Sequence, residues 1–274
     1  MLNYAEIHKP GKFVLIALLF WNITSLASAQ IFIEQGKLNL DVSAGETVSG
    51  ELNIHNTSDK KLTVRAYMED FRYKPPFDGT KEFMASGVAA DSASQFINYF
   101  PASFTLDPFA KQVISYTVNV PDNFDKGHYG VLFFQKEGEE IKSEKGLTIV
   151  TRVGTLFFVE PKQRKRAVEL TQFQFNQNKI TVNFKNTGNV ILIPSSVYYV
   201  MDEGQLVVDR GFVKKIYLPP QESVKYGFEV DAGLAPGDYT IILTLDLEGG
   251  DVLVREIDFT KDPASNYKIT TVRN

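Results

Sequence analysis

The sequence predicts an all-β chain of two sandwich domains preceded by a short export segment. Three observations carry this: period-2 hydrophobic patterning in both halves, a set of landmarks that recurs in order, and a charged, then apolar, then small-residue N-terminus.

Lys9 and Lys12 precede Phe13–Trp21, an unbroken apolar run, and Ser25-Leu-Ala-Ser-Ala29 supplies the small residues of an Ala-x-Ala exit. That order is a secretory signal peptide with cleavage expected after Ala29. The run is too short for the ~20 residues that cross a bilayer, and no Cys follows it for lipid attachment. No later run is long enough to span, so the mature chain is expected to carry no membrane span and to be periplasmic or secreted. Removing Glu6, Lys9 and Lys12 leaves 27 basic and 32 acidic residues and takes away Trp21, the sole Trp.

The 274-residue chain has a net charge of −4 and no Cys. A protein whose nucleic-acid affinity rests on an overall basic field is excluded, as are thiolate chemistry, iron–sulfur clusters and disulfides. Its 21 Phe and 12 Tyr suit extended sheets.

Self-comparison divides the chain after the signal. Leu52-Asn-Ile-His-Asn-Thr57 matches Val182-Asn-Phe-Lys-Asn-Thr187, and Phe124-Asp-Lys-Gly-His-Tyr129 matches Leu234-Ala-Pro-Gly-Asp-Tyr239. Thr105-Leu-Asp-Pro108 mirrors Tyr217-Leu-Pro-Pro220 between them. The first copy is longer, and Arg72–Ser94, with Pro75-Pro76 and Asp78-Gly79, reads as a long loop that takes up the excess. The expected division is a signal peptide over 1–29, one domain over 30–163 and a second over 164–274.

Alternation is plain at Ile114, Tyr116, Val118 and Val120, and again at Tyr239, Ile241, Leu243, Leu245 and Leu247. Each series puts one apolar row on a single sheet face. No stretch after the signal sustains a helical period. Tyr129 and Tyr239 both follow a Gly by two residues and open a strand, which predicts tyrosine corners and makes the sandwiches immunoglobulin-like.

Catalytic motifs are missing: there is no nucleophile elbow, dinucleotide fingerprint, phosphate loop or His-Glu-x-x-His. His55 and His128 stand alone after the signal, and solvated or turn-packed roles suit them better than metal ligation. No enzyme activity, cofactor or metal is expected. Lys162-Gln-Arg-Lys-Arg166 is the densest basic run and reads as a solvated interdomain linker, with capture of an anionic polymer as the other reading.

The segment Leu147–Val159 carries the binding argument. Leu147, Ile149, Val153, Phe157 and Val159 share one face, and Val150, Leu156 and Phe158 the other. Apolar residues on both faces mean either a strand buried on both sides or an edge kept for a partner. The second is what strand addition requires: main-chain hydrogen bonds for affinity and alternate side chains for specificity. The expected partner-binding residues are Leu147, Ile149, Thr151, Arg152 and Val153, with Lys37.

Gly45–Leu62, Phe100–Pro108 and Leu147–Pro161 are similar, in order and spacing, to the early strands, the Pro-containing strand and the long last strand of PapD-type periplasmic pilus-assembly chaperones. The resemblance implies a non-enzymatic chaperone-like factor that holds a pilus-type surface subunit by strand addition. It also implies a basic pair for the subunit's terminal carboxylate in the interdomain cleft. Leu156 stands where one Lys of that pair would fall, with Arg152 and Lys37 as nearby basic residues. Ser94–Gln135 resembles, in addition, the first domain of Gram-positive surface proteins that bind peptidoglycan and other proteins. That supports an alternative, a structural or adhesive envelope module. Either way the expected partner is a protein or cell-wall polymer and not a nucleic acid.

Overall fold

The alternating rows pair into strands throughout a computed structural model that describes residues 30–138, 141–142, 148–149, 151–249 and 252–274. The signal-peptide reading falls on residues 1–29, outside the described residues.

Residues 31–161 build two facing sheets. The first has the order β1 (Ile31–Ile33), β3 (Thr47–Asn56), β8 (Lys111–Asn119) and β6 (Ile97–Phe100). The second has the order β2 (Lys37–Val42), β12 (Arg152–Pro161), β9 (His128–Lys136), β4 (Leu62–Tyr73) and β5 (Lys81–Ala85), with β7 (Ser103–Leu106) also on β4. The chain changes sheets early. Ile31–Ile33 runs antiparallel to β3, and Lys37–Val42 runs parallel to β12. A two-stranded hairpin of β10 (Ile141–Lys142) and β11 (Thr148–Ile149) lies between β9 and β12 in the chain.

Residues 168–273 build a second pair of sheets. One is β13 (Val168–Asn176), β14 (Lys179–Asn186) and β17 (Ser223–Glu229). The other is β16 (Val207–Phe212), β15 (Ser195–Asp202), β18 (Gly237–Asp246), β19 (Val252–Lys261) and β20 (Tyr267–Arg273). Residues 31–274 form one compact unit. Among the described residues there is no helix long and apolar enough to cross a membrane.

The stretch read as a long loop contains β5. Lys81–Ala85 alternates and pairs with Glu69–Tyr73, so Pro75–Gly79 is the hairpin turn, and only the residues after Ala85 form a loop. That loop is pinned from below. Asp70, fully buried, accepts hydrogen bonds from Ser92 Oγ (2.6 Å), Ser94 Oγ (2.7 Å) and the Ala89 N–H (2.9 Å), which satisfies a carboxylate that has no ion-pair partner among the described residues.

The recurring Asn has one task in both halves. Asn56 Nδ2 donates to the carbonyls of Lys60 and Asp107, and its Oδ1 accepts from the Ser58 N–H. Asn186 Nδ2 donates to Val190 and Leu218, and its Oδ1 accepts from the Gly188 N–H. Each ties a tight turn to the loop entering a later strand, which is why the Leu-containing landmark recurs with the Asn. Both side chains are buried, Asn56 at 2% exposure.

Two apolar clusters result. Leu52, Ile54, Ile114, Leu132, Phe134, Phe157 and Val159 fill the first sandwich. The second cluster fills the other sandwich around Val182, Phe184, Val200, Ile241 and Phe259. It also runs across the junction to Phe71, Tyr73, Tyr129, Phe133 and Phe158. Strands β9 and β12 therefore show apolar residues on both faces because each face meets a different core.

Candidate functional site

β12 has two regimes along its length. From Leu156 to Val159 it lies between β9 and β2, and Glu160 and Pro161 go on pairing with β2. Phe157 and Val159 point into the first core, and Phe158 points to the junction. This half is buried on both sides. The last support on the β2 side is the Leu156 N–H donating to Gly36 O at 3.0 Å, with Thr155 Oγ1 on Gln35 O at 2.7 Å. Beyond that point the chain leaves for β1 in the other sheet.

Arg152–Gly154 thus pair with Gln135–Phe133 of β9 on one side. Among the described residues no strand occupies the other side. Main-chain groups alternate along a strand, so the N–H and C=O of Arg152 and Gly154 face the same way as those of Leu156, toward the open side.

The wall beside this edge is aromatic. Arg152 lies over Phe133 with its guanidinium carbon 3.8 Å from the ring centroid, and Phe83 and Phe133 meet edge-on at 5.1 Å. Arg152 Nη1 donates to Glu69 Oε1 (2.6 Å) and to the Tyr67 hydroxyl (3.1 Å). Its charge is already matched, so Arg152 braces the wall and does not stand free to meet a ligand.

Toward the junction the cations change character. Lys37 Nζ sits 3.8 Å above the Phe158 ring, Lys81 Nζ 5.0 Å above Tyr73 and Lys215 Nζ 5.9 Å above Tyr217. Tyr73 and Tyr217 stack at 4.8 Å and bring the two sandwiches together. Among the described residues no carboxylate lies within ion-pairing distance of these three ammonium groups. Partial desolvation lowers the pKa of both Lys37 and Lys81. For Lys37 the attraction of Glu248 and Glu160 opposes this, and the repulsion of Lys215 and Lys81 adds to it. Three cations over aromatic faces with no bonded counter-ion form a place for an anionic group.

The expected binding residues divide accordingly. Lys37 lies opposite Leu156 in the β2–β12 register, beside the position where the sequence resemblance implied a Lys. Leu147 is outside the described residues. Ile149 pairs with Ile141 in the separate β10–β11 hairpin, so the expected unbroken strand over Leu147–Val159 is two elements. The hairpin takes its hydrogen bonds from β10, which ends the continuity. Thr151 is exposed outside any strand, and Val153 packs against the first core and not outward. Sequence reasoning missed Lys81, Lys215 and the aromatics beneath them. These come from β4, β5 and the loop after β16, and no local pattern marks them.

The basic run after Pro161 is spent within the molecule. Arg164 Nη1 and Nη2 bind the two oxygens of Asp41 at 2.6 and 3.0 Å, and Lys162 binds Glu46 at 2.9 Å. Arg164 and Arg166 also flank Glu160 at 3.5 and 3.9 Å. Burial raises the Glu160 pKa, and the two arginines pull it back. This pairing fits the linker reading and leaves little free charge for a polymer. The histidines are accounted for too. His55 Nε2 bonds Glu34 Oε1 at 2.6 Å, and His128 stacks on Phe124 at 5.1 Å, with burial lowering its pKa. Among the described residues no group of His, Asp and Glu is arranged to hold a metal ion.

No protein-family model matches the chain, and no curated protein matches it. Solved structures do. The chain aligns with the chaperone–tip adhesin complex of CFA/I fimbriae biogenesis at 14% identity and a TM-score of 0.53, over 82% of this chain and 97% of that one. It aligns with the class 5 fimbriae chaperone CfaA at 14% identity and a TM-score of 0.51, with the same coverage. The chain therefore has the two-sandwich fold of the PapD-type fimbrial chaperones. Neither structure lends support to the Gram-positive surface-protein resemblance.

Proposed function

We propose that this chain is an exported, periplasmic, non-enzymatic assembly factor that holds a pilus-type surface subunit by adding the subunit's strand to the open edge of β12. The observation that carries this is the end of the β2 ladder at Gly36, which leaves the main-chain groups of Arg152 and Gly154 facing a position that no described strand occupies. The shared fold supports the reading, since one of the similar structures is a chaperone complexed with a tip adhesin. Lys37 stands opposite Leu156, just past the open edge, and with Lys81 and Lys215 near it suits a carboxylate of the bound subunit. The two domains meet at the Pro161–Val168 linker.

Hydrogen exchange on a purified one-to-one complex with a pilus-type subunit tests the mechanism. The amides of Arg152 and Gly154 gain protection on binding, and those of β5 do not. Unchanged exchange at both amides in a stable complex would place the interface elsewhere.

A further inference from the structure

Of the residues on the open stretch of β12, Gly154 has the most constrained surroundings. It is the register partner of Phe133 on β9. A Cβ on Gly154 would lie 2.8 Å from Phe133 Cδ1 and 2.8 Å from Val131 Cγ2, closer than a side chain can stand. The Phe133 ring therefore fills the place of a side chain at Gly154. The backbone explains why. The Leu156 N–H turns toward β2, so the main-chain groups of Gly154, two residues earlier, turn to the open side and away from β9. Gly154 and Phe133 thus form a non-hydrogen-bonded pair, in which facing residues come closest, and the ring leans over the glycine.

Arg152 and Leu156 flank Gly154 on the same face, two residues to either side. Arg152 lies over the Phe133 ring with its charge held by Glu69, and Leu156 packs against the junction core. Between them is a slot with glycine as its floor and the ring as its back wall. Directly paired residues of neighbouring strands share a face, so the residue of an added strand opposite Gly154 points into this slot. No side chain at Gly154 stops it from reaching the ring. The lining is apolar, and a charge buried there would find the guanidinium already bound to Glu69. A small residue would leave the space beside the ring unfilled.

We infer that Gly154 and Phe133 set the specificity of the β12 edge by selecting a large apolar residue, aliphatic or aromatic, at the one position of the subunit strand that pairs with Gly154. This rests on the reading of β12 as the accepting edge.

Calorimetric titration of the full protein with nine-residue peptides tests it. Each peptide alternates threonine with valine, and the central threonine is replaced by leucine, phenylalanine, alanine or aspartate. Hydrogen exchange on the same mixtures reports whether a strand has been added at the Arg152 and Gly154 amides. The leucine and phenylalanine peptides bind about tenfold more tightly than the alanine peptide, and the aspartate peptide binds most weakly. In Phe133→Val the ratio of phenylalanine to alanine peptide affinity falls toward one. That ratio is taken within one protein, so a loss of stability does not mimic it. Protection of both amides with equal affinity for all the peptides would overturn the slot and leave strand addition standing. So would a ratio that Phe133→Val leaves unchanged, or an aspartate peptide that binds most tightly, which would assign the position to Arg152. Protection of neither amide by any peptide would overturn the edge reading and this inference together.

Discussion

Tyr129 and Tyr239 look alike in the sequence and do different work. The Tyr239 hydroxyl donates to Ala235 O at 2.8 Å, four residues back, and this is the expected tyrosine corner. The Tyr129 hydroxyl instead accepts the Ile191 N–H at 2.9 Å, from the other sandwich, and faces Glu160. The preceding glycines differ in the same sense. A Cβ on Gly127 would lie 2.1 Å from the Tyr129 hydroxyl, while one on Gly237 would sit at an ordinary 3.8 Å from Tyr239. Tyr129→Phe strands a buried N–H and costs about 1–3 kcal/mol. Tyr239→Phe, with a more exposed bond, costs about 1 kcal/mol. Denaturant midpoints compare the two, and an equal or reversed order would show that the Tyr129 bond does not join the domains.

At the scale of the element, the linker after β12 is held by charge. Asp41 on β2 and Glu160 on β12 are register partners, and Arg164 reaches both. Bidentate geometry makes this pair stronger than a surface contact, but partial exposure limits its worth. Arg164→Ala is expected to cost about 1 kcal/mol at low salt and less at high salt. Chemical unfolding at two ionic strengths measures this, and a loss that salt leaves unchanged would mean that packing, not charge, holds the linker. β2 also explains why β12 is open only at its start: past Gly36, no residue of β2 remains to pair with it.

For the whole molecule, the apolar cluster that crosses the junction decides cooperativity. Phe71, Tyr73 and Phe158 belong to one sandwich and Ile191, Ile216 and Leu218 to the other, all buried in a single cluster. Backbone bonds reinforce it, with the Tyr217 N–H on Phe77 O (2.8 Å) and the Gly127 N–H on Asn189 O (2.9 Å). Neither half keeps its surface apolar groups covered alone, so residues 30–274 are expected to unfold in one calorimetric transition. Two resolved transitions would show that the halves are thermodynamically separate.

The sequence by itself determined the all-β class and the alternating rows, because period 2 is a local property of each strand. It also marked the paired landmarks, because Asn56 and Asn186 each answer to a turn within a few residues. It located β12 as the strand with two apolar faces. Only the tertiary structure decided which part of that strand is edge and which is core, because that depends on where β2, more than 100 residues earlier in the chain, stops pairing. Only it could gather Lys37, Lys81 and Lys215, since their common feature is an aromatic ring beneath each ammonium, supplied by residues distant in sequence. Local patterns record which way a side chain points. The neighbour it meets is fixed when the sheets and the two sandwiches pack.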